Sequence, residues 1–563
     1  GGIFNGGEER TGLVRYLSDG GLDPSFGDGG KTSSPGRGGP GIAQQSDGKI
    51  VVLGYQTITR FNGGNDPAPP EWVRDTTTGI PGEPEATRST NFARPAIEAG
   101  DIGGIATLTL PRSRSLSAIY GGKGGAVLIR RGDPSPGGSE GNNFLALENP
   151  AFASWGFGFA GWIAPRGEPH WARGLWARLP SITRDSFLEG QVESHGLTRV
   201  AVTGESATGA PGGVFADFPA YGLPRRRPGL FFIGRLRRGT QVTAQNDLGI
   251  WRKREDGGTD LLLRKGDLVA LTPGSSRQVR SIQLMIPVAH ASDQRRSFDP
   301  DGGIMAEAGF TKGGSGLVRI AANGSIDVPR ETTSPVPGHP ELRFTGFGAP
   351  ATASGGRYAS LVQLSDQPGE AILASLNGDP VLASARGDAV TDEPSVSFAR
   401  LGHPLLSESG AMGWVATLAG VTRQQSTALV FHENGQAHVV ARLSTQASDT
   451  DAGIHYRRFL SVVMTDTIPA RMVFTATLTG PGVRASNCLG LWSVSSADGV
   501  HLLLRTGEPM DPLNPTVVMR AFDALQADLF ARGQGRSTDA LGYAAARARL
   551  SDGRRGVLRI PLP

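Results

Sequence analysis

The sequence holds a single cysteine, Cys488, so no disulfide can form within the chain and no Cys-rich zinc site can be built from it. No run of about 18 apolar residues occurs, the length a helix needs to cross a bilayer. Net charge is also scarce. Lys+Arg 56 against Asp+Glu 52 leave +4 over 563 residues, a slight basic excess on a balanced surface and no footprint for nucleic acid. The 9 histidines are scattered, with no His-Glu-x-x-His spacing. Only His432 and His438 are close, on opposite arms of one hairpin where they are placed to face each other. Cross-strand packing explains that pair better than a metal site does.

What is abundant is glycine and proline. Gly 82 and Pro 39 lie above ordinary usage and below the low-complexity range, the balance expected of many short strands joined by tight turns. Hydrophobic residues at 38% suffice for a sizeable core.

An internal repeat organises most of the chain. Asn246-Asp-Leu-Gly-Ile-Trp251 returns as Asn487-Cys-Leu-Gly-Leu-Trp492. Each copy runs through a turn, Asp256-Gly257 or Asp498-Gly499, into Leu-Leu-Leu-Arg at 261–264 or 502–505, and then into Lys265-Gly266-Asp267 or Thr506-Gly507-Glu508. Weaker copies surround Asn323-Gly324, Asn377-Gly378 and Asn434-Gly435. Asn-Gly and Asp-Gly supply the two positive φ values of a type I′ turn, so each is a two-residue hairpin. The five turns recur at intervals of 54 to 67 residues, a length that suits a four-stranded propeller blade. Glycine-punctuated strands such as Gly302-Gly303-Ile-Met-Ala-Glu precede the hairpins.

These elements predict an all-β protein, a β-propeller of seven or eight four-stranded blades, with an open β-solenoid as the alternative. Blades fall at 92–148, 149–214, 215–291, 292–345, 346–400, 401–458 and 459–530, followed by a partial eighth unit. Residues 65–91, rich in Pro and Gly, read as a linker or long loop. Strands from 48–62 are expected to join those from 540–562 in a composite closing blade, which would hide both terminal edges.

Two resemblances sharpen this reading. Val14-Arg-Tyr-Leu-Ser-Asp-Gly-Gly-Leu-Asp-Pro-Ser-Phe-Gly27, with Gln45-Ser-Asp-Gly-Lys-Ile-Val-Val-Leu-Gly54, resembles the bacterial delta-sixty repeat, so residues 1–64 form a separate β repeat ahead of the propeller at 92–563. The Gly-Ile-Trp, Asp-Gly and Leu-Leu-Arg-x-Gly-Asp elements resemble the exported bacterial tandem repeats named for an Asn-x-x-Gly-x-x-Ala-Phe pattern and for their choice of C-terminal anchor. The Asn and Ala-Phe positions of that signature are mostly replaced here, and no anchor follows Pro563. The resemblance implies export and a β-rich repeat, and no catalytic residues. The opening Gly-Gly-Ile-Phe, without Met, fits a chain whose signal peptide has been removed.

Other motifs have plainer explanations. Gly156-Phe-Gly-Phe-Ala-Gly161 matches a dinucleotide fingerprint in letters only, because it lies in a strand with no helix after it. Gly137-Gly-Ser-Glu-Gly141 likewise lacks the helix a nucleophile elbow needs, which leaves Ser139 without a catalytic role. Arg131-Gly-Asp133 and Arg386-Gly-Asp388 occupy the repeat's own turn, where Asp bonds backbone N–H groups. Asp299 and Asp301 begin like a calcium loop but lack its later ligands, and form a turn.

The residues assign no catalytic, cofactor-binding or metal-ligating group. They point to an exported, non-enzymatic propeller, extracellular or at the cell surface with the periplasm as the alternative, acting as a structural or interaction subunit of an assembly. Its partners would be other protein subunits or a second copy, with an anionic glycan as a further ligand and no nucleic acid. The candidate interaction surface comprises Trp155, Trp162, Trp171 and Trp176 with Arg225, Arg226 and Arg227, although Trp176 also shares one repeat position with Trp251 and Trp492, whose default role is to fill the interface between blades. A glycan- or protein-binding module stays open, as does a hydrolase or lyase with residues scattered around the channel. Paired carboxylates at the channel mouth would favour that last reading.

Overall fold

In the computed structural model the described residues are 70–563, except 82, 85–86, 94, 111–113, 123–124, 138–141, 149, 165–170, 180–195, 273–274, 285–296, 377, 511–513 and 526–535; before residue 70 only strand backbone is described. The chain divides into two compact units, residues 1–70 with 560–563 and Glu71–Arg559. The first contains two three-stranded antiparallel sheets. Gly2–Asn5, Glu8–Val14 and Lys31–Pro35 form one, and Gly38–Gln44, Ile50–Gly54 and Ile58–Phe61 the other.

The second unit is a ring of eight antiparallel sheets, the blades of a β-propeller. They cover 88–130, 144–202, 215–264, 268–331, 335–385, 389–442, 455–505, and 519–561 with 71–75. Inner segments of first strands touch those of the next blade at several junctions, as Ala96–Glu98 touches Ala151–Ala153. A bulge interrupts the first strand in several blades, and Pro95, Pro150, Pro350 and Pro404 lie at that step, where a residue that cannot donate to the ladder is tolerated.

The ring closes through a strand from each end of the unit. Glu71–Asp75 forms the outer edge of the eighth blade, pairing with Arg555–Pro561 in the register Val557↔Arg74 and Leu558↔Trp72. Closure by both ends was expected; the strand that performs it was not. It lies inside the segment read as a linker, whereas Ile50–Gly54 and Ile58–Phe61 belong to their own sheet. Hydrogen bonds then join the eighth blade to the first, from Gly100 N to Asp539 Oδ2 (2.6 Å) and from Ile97 N to Arg536 O (2.8 Å).

The expected blade limits have the right period, and all but one are displaced by one strand; the third, 215–291, starts correctly at Phe215 and overruns into the fourth. A span such as 346–400 takes the last three strands of one sheet and the first strand of the next. Glycine pairs punctuate the step between first and second strands more strongly than the real boundary, where the outer strand runs through a Gly-Asp turn into the next blade.

The core explains the repeated Leu-Gly-Ile-Trp. Trp176, Trp251 and Trp492 are fully buried at equivalent places on third strands. Each indole folds over the glycine two residues earlier: a Cβ on Gly174, Gly249 or Gly490 would come within 2.5, 2.9 and 2.3 Å of it. Each also stacks on a second-strand phenylalanine, Phe159, Phe232 or Phe474, and meets a first-strand ring edge-on, Phe144, Phe215 or Tyr456. Burying one such indole is worth about 4–6 kcal/mol of transfer free energy.

Candidate functional site

The turns between first and second strands lie together at one end of the ring. In the first blade that turn is two residues, Ala99-Gly100; in the third it is the seven residues 223–229, Leu-Pro-Arg-Arg-Arg-Pro-Gly. The longer turn crosses the axis. Arg225 donates from Nε to Glu98 Oε1 of the first blade (2.7 Å) and from Nη1 to Asp466 Oδ2 of the seventh (3.0 Å). Arg536 of the eighth blade pairs with the other oxygen of Glu98 and donates from Nη2 to Leu223 O (3.2 Å). The side chains of Glu98, Asp466 and Arg536 are each 4% exposed and that of Arg225 12%. Two cations and two anions therefore neutralise one another in a desolvated cluster, which is the condition for burying charge at tolerable cost.

The same turn is tied to every other blade. Trp155 Nε1 of the second blade donates to Pro224 O (2.9 Å), and Arg226 N donates to Pro300 O of the fourth (2.8 Å). Arg226 Nη1 reaches Ser354 Oγ of the fifth (2.7 Å), and Arg226 also pairs with Asp301 (3.5 Å) and with Glu408 of the sixth (3.7 Å). Arg227 Nη1 donates to Ala322 O (3.1 Å). An axial cavity of about 30 Å³, lined by Phe298, Leu406, Met464, Asp466 and Arg536 among others, has room for water only.

The seven candidate surface residues thus have different fates. Arg225 is a brace at the axis, not a contact surface, because its charge is spent on Glu98 and Asp466. Arg226 and Arg227 are exposed beside it. The four tryptophans form no common patch. Trp176 is core, which corrects its place in the surface set; Trp162 bonds Glu148 Oε1 (3.1 Å), Trp155 holds the arginine turn, and Trp171 is 67% exposed. Glu98, Asp466 and Arg536 were not anticipated. The one sequence signal is the run Arg225, Arg226 and Arg227 already in the surface set.

Elsewhere at this end, Asp299 Oδ1 accepts from Asp301 N (2.9 Å) and Gly303 N (2.7 Å), and burial raises its pKa. The Arg-Gly-Asp turns are structural: Asp133 and Asp388 accept from Arg130 N (2.8 Å) and Ala385 N (2.7 Å). Gly156–Ile163 is a strand. Ser139 lies outside the described residues. His432 and His438 do not face each other, since His432 pairs with Ala437 and His438 with Phe431. His438 Nδ1 instead lies 2.7 Å from Asp392 Oδ2.

A larger cavity, about 350 Å³, opens between the sixth and seventh blades, lined by Leu401, Leu405, Trp414, Val462, His403 and Arg400 among others. His403 lies against Gly348 of the fifth blade, where a Cβ would come within 2.6 Å of its ring.

The fold and its blocked axis define an eight-bladed propeller with one end of its channel closed by its own chain. The chain belongs to the family of unknown function DUF7453, whose profile matches residues 61–322 and 359–535. A β-propeller domain of unknown function, DUF5122, matches 1–26 and 45–68. No curated protein matches. Among solved structures, the chain is similar to the β-propeller domain of the Trilobed protease from Pyrococcus furiosus (8% identity, 74% of this chain, 94% of that one, TM-score 0.33). It is also similar to a puromycin hydrolase (12%, 82% and 59%, TM-score 0.33) and to an ulvan lyase (10%, 87% and 95%, TM-score 0.27). The chain spans about three fifths of the puromycin hydrolase. Scores this low identify no function.

Proposed function

We propose that the chain is a non-enzymatic propeller, exported from a bacterial cell, that serves as a structural or interaction subunit of a cell-surface or extracellular assembly. One observation carries the first part: Glu98 and Asp466, two carboxylates buried at the axis, both accept hydrogen bonds from Arg225. A carboxylate that acts as general base or nucleophile must be free to take a proton or reach a substrate. These two are held by a guanidinium and covered by the turn that carries it. Export rests on the sequence resemblance to exported bacterial repeat proteins.

Two measurements test this. Light scattering on the purified chain, alone and with co-expressed neighbours, should find a defined oligomer or mixed assembly. A panel of peptide and polysaccharide substrates should give no turnover; turnover lost in Asp466→Asn would overturn the reading in favour of a channel hydrolase or lyase.

The cavity beside Trp414 favours a second reading, a small-ligand module. Its volume is within the range of ligand pockets, and its walls are mostly apolar. A metabolite screen by thermal shift, with Val462→Trp to fill the cavity, separates the two: a ligand that stabilises the native chain and not the variant would favour the module.

A further inference from the structure

We propose that Arg227 and Arg252 form a subsite for a carboxylate carried by a partner protein, which docks on the end of the propeller that the arginine turn occupies. This deepens the interaction-subunit reading and rests on it. The observation is an unbalanced pair of like charges. Arg227 Nη1 and Arg252 Nη1 both donate to Ala322 O, at 3.1 and 2.7 Å, so the two nitrogens lie less than about 6 Å apart, where like charges repel. Arg252 pairs with Asp260 (3.1 Å), and Arg254 with Asp256 (3.2 Å) and with Asp260 (3.6 Å), so Arg227, Arg252 and Arg254 have two carboxylates among them. Among the described residues, no carboxylate lies within ion-pair distance of Arg227.

The neighbouring arginines make the contrast. Arg225 faces two carboxylates and Arg226 two more, so the turn is anchored on both. Arg227 is held beside them at a fixed place, with one neutral carbonyl as acceptor. An incoming carboxylate would bridge two guanidinium groups and replace their repulsion with charge-assisted hydrogen bonds. Other turns at the same end expose apolar side chains, Ile468 at 89% and Leu541 at 62%. Basic and apolar groups spread over one face suit a protein carrying acidic and apolar residues better than they suit a uniformly polar polysaccharide.

The test is calorimetric titration of the full chain with a ten-residue glutamate peptide at low salt, and in parallel with a galacturonate oligosaccharide. The peptide is expected to bind more tightly than the oligosaccharide. Arg227→Gln should weaken it about tenfold, one charge-assisted contact's worth. Arg227→Lys should restore part of the loss, and Arg423→Gln, an equal charge change on an exposed turn of the opposite end, should leave binding unchanged. Equal binding by the native chain and Arg227→Gln would overturn the proposal, and so would absence of peptide binding. Tighter binding of galacturonate would also overturn it and assign the face to an acidic glycan. None of these results bears on the substrate panel or on light scattering, so loss of this subsite would leave the interaction-subunit reading standing.

Discussion

Arg225 and Asp466 are 241 residues apart in sequence and 3.0 Å apart at the axis, each on a turn of its own blade. Their pairing, with Glu98 and Arg536, fastens four blades that share no strand. Removing Arg225 leaves Asp466 and one oxygen of Glu98 buried without that cation. Arg225→Met is therefore expected to destabilise the chain by about 3–5 kcal/mol, the cost of breaking a buried ion pair from one side. Urea unfolding measures it. Adding Asp466→Asn should recover part of the loss, because the stranded charge goes with it; a double variant less stable than the single one would show that the brace is not the cause.

Closure of the ring gives the next test. Deleting residues 1–69 keeps Glu71–Asp75 in the eighth blade, whereas deleting 1–75 removes the strand that covers Arg555–Pro561. The second deletion also removes Glu71, whose Oε2 accepts from Arg559 Nε (3.1 Å). The longer truncation should have the lower Tm and should aggregate through the bared edge. Equal thermal unfolding of the two truncations would mean that the short strand closes nothing.

How far the sequence carried the reading depends on how local each feature is. The Gly-x-Trp pair and the positions of the Asp-Gly and Asn-Gly hairpins are legible because their partners lie within one blade: Gly249 and Trp251 are two residues apart and make their contact with each other. The expected type I′ geometry, with both residues at positive φ, holds at Asn434-Gly435 and fails at Asp256-Gly257, Asn323-Gly324 and Asp498-Gly499, where only the glycine has it. Blade phase was less legible, since its boundary turn is no stronger in glycine than the turns inside a blade. The axial brace as a cluster left no pattern, because Glu98 and Arg225 are 127 residues apart and nothing around Glu98 marks it in sequence. Arg225 was noticed only as one of a basic run, whose exposed reading holds for Arg226 and Arg227 and fails for the residue that matters most to the fold.

Acid sensitivity should centre on His432. It is 4% exposed, neither ring nitrogen has a hydrogen-bond partner among the described residues, and burial lowers its pKa below the usual 6.5. The unfolded chain then takes up the proton first as pH falls through 6.5, so stability is lost on acidification from that point down to the folded pKa. His432→Leu removes the titrating group and two unsatisfied nitrogens with little change in volume. Urea midpoints between pH 7 and 5 should fall less for the variant than for the native chain, and the variant should be at least as stable at pH 7. Parallel slopes for the two proteins would place the acid sensitivity elsewhere.

The boundary turn offers a stabilising change. Five blades place glycine before its acidic residue with positive φ: Gly132, Gly204, Gly266, Gly387 and Gly507, at 98, 94, 94, 94 and 87°. In each, the glycine N–H donates to the carbonyl of a first-strand residue in the next blade, as Gly266 N does to Val279 O (2.7 Å). Thr333 makes the same bond to Phe344 O (2.8 Å) with φ of 75°, and Ser444 to Tyr456 O (2.7 Å) with φ of 61°. A β-branched residue is strained there, at about 1–2 kcal/mol. Glycine relieves the strain but adds freedom to the unfolded chain, worth roughly 0.5–1 kcal/mol. Thr333 is exposed, so little packing is lost. Thr333→Gly should therefore raise stability by about 0.5–1 kcal/mol, and Gly387→Ala, at an open position, should lower it by about 1 kcal/mol. A Thr333→Gly variant less stable than the native chain would mean that the threonine side chain contributes more at this turn than its backbone strain costs.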